Sequence, residues 1–277
     1  MTEFREAFPI LHVEDVAVAS AFYCSTLGFE EAYRNGDEHG VEFVFLALEP
    51  YGIGLARRPP GVERDFALWI YADDVDAVIG PDEPVVYPEH LTSELDYELE
   101  LAVVLKKAGR WFSPEEAADY IGGYVIFNDI TARDIQRGEM RSGVFSFCKA
   151  IDTFCPLGPW IVTPDEIPNP HDLAMELRVN GEVRQESHSS RMSVTIPEIL
   201  SNFSALGYSA GDVLSTGTVS GVAGFKSPEE RARLYLKPGD VIEAEIEGIG
   251  VLRNPVVSWQ DAHGEPAPAR IRPWGDA

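Results

Sequence analysis

Apolar and polar residues alternate strictly over the first seven positions of LDYELELAVVL, residues 95–105. That period of two predicts a strand with Asp96, Glu98 and Glu100 on one face and Tyr97, Leu99 and Leu101 on the other. VIEAEIEG, residues 241–248, repeats the pattern with Glu243, Glu245 and Glu247. Near the N-terminus, a short strand around Phe8 to Val13 leads into a helix capped by Asp15. Its apolar face is Val16, Ala19, Phe22, Tyr23 and Leu27, and Gly28 ends it. FEEAYR, VEFVFLAL and IGLARR, joined by the turns NGDEHG and EPYG, then predict a small antiparallel meander. The order is βαβββ. RRPPGVERD breaks the pattern before ALWIYA.

From Gly80 the texture changes, starting with the turn-rich GPDEPVVYPEH. SPEEAADYIGG predicts a helix with Ser113 as cap, Pro114 at its first position and Gly122 near its end. The strand GYVIFND follows, then MELRVNGEV with its NG turn, a helix from about Pro197 to Leu206, and the strands VLSTG and VIEAEIEG. The fold class is α+β: a βαβββ module over residues 1–79, then a mainly β domain over 80–277.

With 277 residues and 45% hydrophobic content, the chain is long enough to bury a real core. A formal charge of −24 argues against nucleic-acid or anionic-membrane partners, which call for a basic stripe. An anionic substrate then requires local Arg or Lys. Cys24, Cys148 and Cys155 are odd in number and lack metal-like spacing, which fits a reducing cytoplasm. The first fifteen residues carry acids and no long apolar run, so neither a signal peptide nor a membrane span is expected there.

Glu98 and Glu100 side by side repel if their face is buried, and oxygen ligands of this kind suit a hard cation such as Mg2+ or Mn2+. On a wet face they need no partner. Because residues 241–248 share the spacing, spacing alone identifies no site. A third carboxylate, Asp129, ends the strand GYVIFND where a loop begins. If DITARDIQ is helical, Arg133 and Gln136 share its side, and Lys149 adds a cation to an apolar stretch. His12 reads as a structural or surface residue, and His90 as a turn histidine at the surface. His188 and Ser190 are weak candidates: on a strand their spacing keeps them from activating one another, and no G-x-S-x-G elbow surrounds the serine.

DYELELAVVL, GGYVIFNDITARDIQ, KAIDTFCPLGPW, VNGEVRQ and STGTVSGV, in this order, resemble the fumarylacetoacetate hydrolase family over about residues 80–257. FPILHVEDVAVASAFYCSTLGF and ALWIYADDVDAVI resemble a partial vicinal oxygen chelate module of the glyoxalase and bleomycin-resistance type, over about residues 1–79. The first resemblance implies that Glu98, Glu100 and Asp129 coordinate one Mg2+ or Mn2+. It also implies that Arg133, Gln136, Lys149 and Thr218 line the substrate site, with Lys149, Arg133 and Gln136 in catalytic roles.

The implied activity is metal-dependent hydrolysis of a carbon–carbon bond in acylpyruvate-like or fumarylacetoacetate-like diketo acids, as in the catabolism of aromatic compounds. Decarboxylase, hydratase and isomerase chemistry on 2-oxo acids are alternatives within the family, and a catalytically impaired metal-binding fusion is another. A homodimer is implied. The sequence departs from the family upstream of the acidic strand, where it shows neither the His and Glu of a mobile lid nor the lysine–proline motif before the GPxxP turn. The general base is therefore unassigned.

Overall fold

Strands form where the alternation predicts them, but the acidic segment is divided. The computed structural model describes residues 10–13, 16–27, 30–37, 40–48, 51–57, 77–142 and 146–269. The chain divides into two compact units. One comprises Met1–Val75, Ile135–Cys148 and Ile271–Ala277, the other Asp76–Asp134 and Lys149–Arg270.

In the first unit, β1 (Ile10–Val13), α1 (Val16–Leu27), β2 (Glu30–Asp37), β3 (Gly40–Leu48) and β4 (Tyr51–Arg57) follow one another. The sheet order is β1-β4-β3-β2, with β1 parallel to β4 and the other pairs antiparallel. Asp15, the side chain of His12 and the ALWIYA segment lie outside the described residues.

The second unit is built on two five-stranded sheets. The first has the order β14-β8-β9-β11-β5, formed by β5 (Val78–Ile79), β8 (Leu99–Leu105), β9 (Ile121–Asn128), β11 (Cys155–Val162) and β14 (Val213–Ser215). The second is β13-β12-β15-β16-β6, from β6 (Val85–Tyr87), β12 (Ala174–Val179), β13 (Glu182–His188), β15 (Val241–Ile246) and β16 (Gly250–Ser258). Two short strands, β7 (Leu95–Asp96) and β10 (Thr131–Ala132), pair beside them. Its helices are α3 (Ile196–Phe203), α4 (Pro228–Leu234) and α5 (Trp259–His263), while α2 (Arg133–Glu139) has only Arg133 and Asp134 in this unit and its remainder in the first.

The two acidic strands have opposite fates. β8 lies between β14 and β9, and both of its faces are buried, with Leu99 and Leu101 packed on one side and Glu98 and Glu100 enclosed on the other. On β15, Ile242, Ala244 and Ile246 face the core while Glu243 and Glu245 stay half-exposed and pair with Arg178. β15 is therefore an ordinary half-solvated antiparallel strand, and β8 is not.

Other local features follow known chemistry. The NG turn is a tight hairpin: Asn180 and Gly181 both take positive φ, 53° and 78°, and join β12 to β13. The segment after Ser113 is a six-residue 3-10 turn, Pro114–Asp119, instead of the expected longer helix. Phe112 and Tyr120 stack across its ends at 3.9 Å, and Ser113 N donates to Glu116 Oε2 at 2.9 Å. At Gly123 a Cβ would meet Ile161 Cγ2 at 2.3 Å and Val162 O at 2.8 Å, so only glycine lets β9 and β11 approach this closely.

His90 departs from the surface position expected of it. It is buried edge-on against Trp259, with ring centroids 4.6 Å apart, and burial lowers its pKa. No helix among the described residues is long and apolar enough to cross a membrane.

Candidate metal centre

The break between β7 and β8 sends the three acids of the segment in different directions. Asp96 leaves the face shared by Glu98 and Glu100 and becomes an anchor. Its carboxylate accepts the backbone N–H groups of Tyr97, Ala223 and Gly224 at 2.9, 3.0 and 2.8 Å, and the Arg133 Nε–H at 2.8 Å.

Glu98 and Glu100 remain two residues apart on one face. β9 runs antiparallel with Leu99 opposite Asn128, which delivers Asp129 to the same place. Asp129 N donates to Glu98 O at 2.9 Å, and Asn128 Oδ1 accepts the Glu98 N–H at 3.0 Å. The three carboxylates each offer an oxygen within 4.8 Å of the others, the one such cluster found among the described residues.

Two cations are built into the walls. Arg133, at the start of α2, donates from Nη2 to Glu98 Oε1 at 2.5 Å. Lys149 Nζ donates to Glu98 Oε2 at 2.8 Å, to Thr131 Oγ1 at 2.9 Å, and to Asp129 Oδ2. Burial disfavours both charges, but the neighbouring carboxylates outweigh it and hold both side chains protonated. Glu100 has neither cation as a direct partner; it accepts the Ser215 hydroxyl. Burial first, then Asp129 and Glu98, push its pKa well above the usual carboxylate range. Burial also raises Asp129, to about 6, against the pull of Lys149. The same surroundings lift the Cys155 thiol to about 12, so it stays protonated.

The charges suit a divalent cation. Three buried carboxylates, Asp96, Glu98 and Glu100, and the half-buried Asp129 face two buried cations, Arg133 and Lys149, leaving two negative charges uncompensated when all are ionised. Three oxygen donors without nitrogen or sulfur select a hard ion.

Because the folded pKa values of Glu100 and Asp129 lie above their unfolded values, their contribution to metal-free stability is complete below the unfolded values. It is lost as pH rises, for Asp129 through about 6. A bound cation removes this penalty. The rise in melting temperature on adding Mn2+ is therefore expected to be several degrees larger at pH 8 than at pH 5. Thermal unfolding at the two values, with and without Mn2+, measures it; equal shifts would contradict the assignment.

The remaining candidates are placed as follows. Thr218 Oγ1 donates to Leu99 O at 3.0 Å and accepts from Gln185 Nε2 at 3.1 Å, fastening the 215–220 loop to β8. Thr218 and Ser215 also line a cavity of about 880 Å³, bounded by the 187–194 turn and α3, which Glu98, Glu100 and Asp129 do not line. Gln136 lies on α2, three residues after Arg133, and is half-buried.

His188 and Ser190 do meet, contrary to the expectation for a strand, because the chain turns at the end of β13. His188 Nδ1 is 2.8 Å from Ser190 Oγ and also accepts the Ser190 N–H at 3.3 Å. This closes a short surface turn on which Ser190 is exposed.

Gln185 and Ser215 received no role from the sequence although both lie in its quoted motifs. Between Leu177 and Arg178 the β12–β13 register shifts by one residue, and Gln185 at this bulge reaches the other sheet. Its Oε1 accepts the Leu99 N–H at 2.9 Å, and its Nε2 donates to Val219 O at 2.7 Å. The signal was present in the motifs, but the partners are distant in sequence.

Known proteins share this arrangement of strands. The family described as fumarylacetoacetate (FAA) hydrolase C-terminal matches residues 23–257. The match begins within α1 and so runs through the segment that resembles a vicinal oxygen chelate module. Oxaloacetate tautomerase YisK of Bacillus subtilis (strain 168) is 44% identical over 181 residues, 65% of this chain and 58% of its own. The 2,4-didehydro-3-deoxy-L-rhamnonate hydrolase of Sphingomonas sp. (strain SKA58) is 40% identical over 75% of this chain and 73% of its own.

Among solved structures, maleylpyruvate hydrolase from Sphingobium sp. SYK-6, in complex with manganese (II) ion and pyruvate, has a TM-score of 0.55 at 31% identity, covering 66% of this chain and 62% of its own. Fumarylacetoacetate hydrolase (EaFAH) from psychrophilic Exiguobacterium antarcticum has a TM-score of 0.61 at 42% identity, covering 66% of this chain and 64% of its own. The chain spans 58% of the length of the tautomerase. With its strand order, its carboxylate cluster and the match over residues 23–257, the chain belongs to the fumarylacetoacetate hydrolase family.

Proposed function

We propose that this chain is a divalent-metal-dependent enzyme acting on 2-oxo acids through their enols, with keto–enol tautomerisation as its first reaction. The observation that carries this reading is Lys149: a buried, protonated ammonium in contact with two of the three carboxylates of the cluster. Glu98, Glu100 and Asp129 would hold Mg2+ or Mn2+, which would supply Lewis acidity toward a 2-oxo acid.

Every other task belongs to the chain. Lys149 holds a proton at Nζ where enol oxygen and carbon exchange one, and its charge offsets negative charge developing on the substrate. Arg133 fixes Glu98 and thereby its orientation. Thr218, from a loop already fastened to β8, is assigned to the substrate, and Gln136 keeps the substrate role that the family resemblance implies for it. Tautomerisation moves one proton from the enol hydroxyl to carbon and consumes no water, which suits a centre built around a single proton carrier.

Carbon–carbon hydrolysis of an acylpyruvate is the second reading, favoured by the identity to the rhamnonate-derived hydrolase. It adds water to a carbonyl and releases an enolate that then takes up a proton. Homodimerisation and a vicinal-oxygen-chelate-like N-terminal segment are carried by sequence resemblance alone. The test follows decay of the enol of oxaloacetate, and separately pyruvate release from acylpyruvates, with Mg2+ or Mn2+ and a chelator control. Chelator-sensitive acceleration of the first alone supports the tautomerase, and stoichiometric pyruvate supports the hydrolase. Neither, under any metal, refutes the proposal.

A further inference from the structure

We infer that Phe225 is a specificity residue of the metal centre, an aromatic wall for the part of the substrate that lies beyond its metal-binding end. The inference rests on the metal-centre reading above and extends its substrate class to 2-oxo acids bearing an apolar acyl or unsaturated substituent. Phe225 is 87% exposed, more than any other large apolar side chain among the described residues. A single exposed apolar residue is common on any surface. Phe225 differs in how firmly it is held and in what lies beneath it.

The turn Ala223–Phe225 is fixed from below. Ala223 N and Gly224 N donate to the two oxygens of Asp96, at 3.0 and 2.8 Å. The same carboxylate receives Arg133 Nε at 2.8 Å, so one buried anion sets the position of both the turn and the guanidinium. A Cβ on Gly224 would meet Arg133 Nε at 2.7 Å, so the turn is pressed directly on the cation. The Phe225 ring lies over that guanidinium, 5.9 Å from its carbon. The guanidinium in turn reaches Glu98 at 2.5 Å. A single side chain therefore separates the ring from a metal-binding carboxylate.

A backbone anchored to a buried ion pair with its aromatic tip left in water is ordered before any ligand arrives. Covering that ring removes apolar surface from water at the ordering cost of one side chain, the backbone beneath being already fixed, so its effect falls on binding of whatever covers it. The polar end of an oxo acid goes to the cation, which leaves its substituent to meet the ring. The electron-rich ring face favours a carbon chain or a conjugated system over a second carboxylate.

The experiment compares the parent with Phe225→Ala and Phe225→Leu. Mn2+-loaded protein is titrated with oxalate and with a long-chain acylpyruvate, and KM is measured for oxaloacetate and the same acylpyruvate. Phe225→Ala is expected to weaken acylpyruvate binding and raise its KM about ten-fold. Mn2+ affinity, oxalate affinity and the oxaloacetate KM should stay within about two-fold of the parent, and Phe225→Leu should recover part of the loss. Equal losses for oxalate and acylpyruvate, no loss for either, or a change in hydrodynamic mass on substitution would each overturn the inference. A parent that binds no Mn2+ defeats the metal-centre reading and this inference together. A parent that binds Mn2+ and oxalate but is indifferent to Phe225 defeats this inference alone.

Discussion

Glu100→Gln is expected to weaken Mn2+ binding and turnover by roughly two to three orders of magnitude while leaving the metal-free protein as stable as the parent or more so. Glu100 is enclosed, carries a raised pKa, and has a hydroxyl rather than a cation as its partner. A neutral isostere removes a buried like charge from beside Glu98 and Asp129, so the fold loses nothing when the ion is absent. The ion loses one of three oxygen donors and one of its compensating charges. Calorimetric titration with Mn2+ and thermal unfolding without it read the two effects separately. Glu245→Gln is the control: that carboxylate is half-exposed on β15 with Arg178 at 2.8 Å, an ion pair worth about 0–1 kcal/mol. It should leave metal binding and turnover intact. An undiminished Mn2+ affinity in Glu100→Gln would remove Glu100 from the site.

Lys149→Met should produce the opposite pairing. Turnover is expected to fall by about a thousand-fold, as for loss of a positioned proton carrier. Mn2+ affinity should hold or tighten, because a cation beside two ligands has gone. The metal-free fold should lose about 3–5 kcal/mol, since Glu98 and Asp129 are left buried with one cation fewer. Saturating Mn2+ should restore most of that loss. One substitution thus removes the ion and spares the apo fold, while the other spares the ion and weakens the apo fold. If Lys149→Met lost Mn2+ as completely as Glu100→Gln, the lysine would be part of the scaffold of the site and not of its chemistry.

Local features could be read from the chain wherever their cause was local. The NG hairpin and a helix expected from about Pro197, whose start is held by Glu198 accepting the Thr195 N–H at 2.8 Å, both follow from residues a few positions apart. Elements whose ends are tied to distant partners depart from the local pattern. Alternation predicts a continuous acidic strand, but Asp96 is drawn away by Arg133 and by the backbone of Ala223 and Gly224. The turn around His90 predicts a surface residue, and Trp259 covers it. Strand spacing keeps His188 and Ser190 apart, yet the turn after β13 joins them.

By itself the sequence determined the chemical repertoire: a pair of carboxylates at a spacing of two, a third at the end of the next strand, and a lysine and an arginine in an otherwise strongly acidic chain. It could not distinguish residues 98 and 100 from 243 and 245, since a period of two states which residues share a face and not what that face meets. Only the tertiary structure decided this. Placing β8 between β14 and β9 buried Glu100 and the adjoining Glu98, the latter against Lys149 and Arg133, whereas β15 kept its acids in water. Burial is what makes the charges interact, because the low dielectric of the interior amplifies repulsion that solvent screens at the surface.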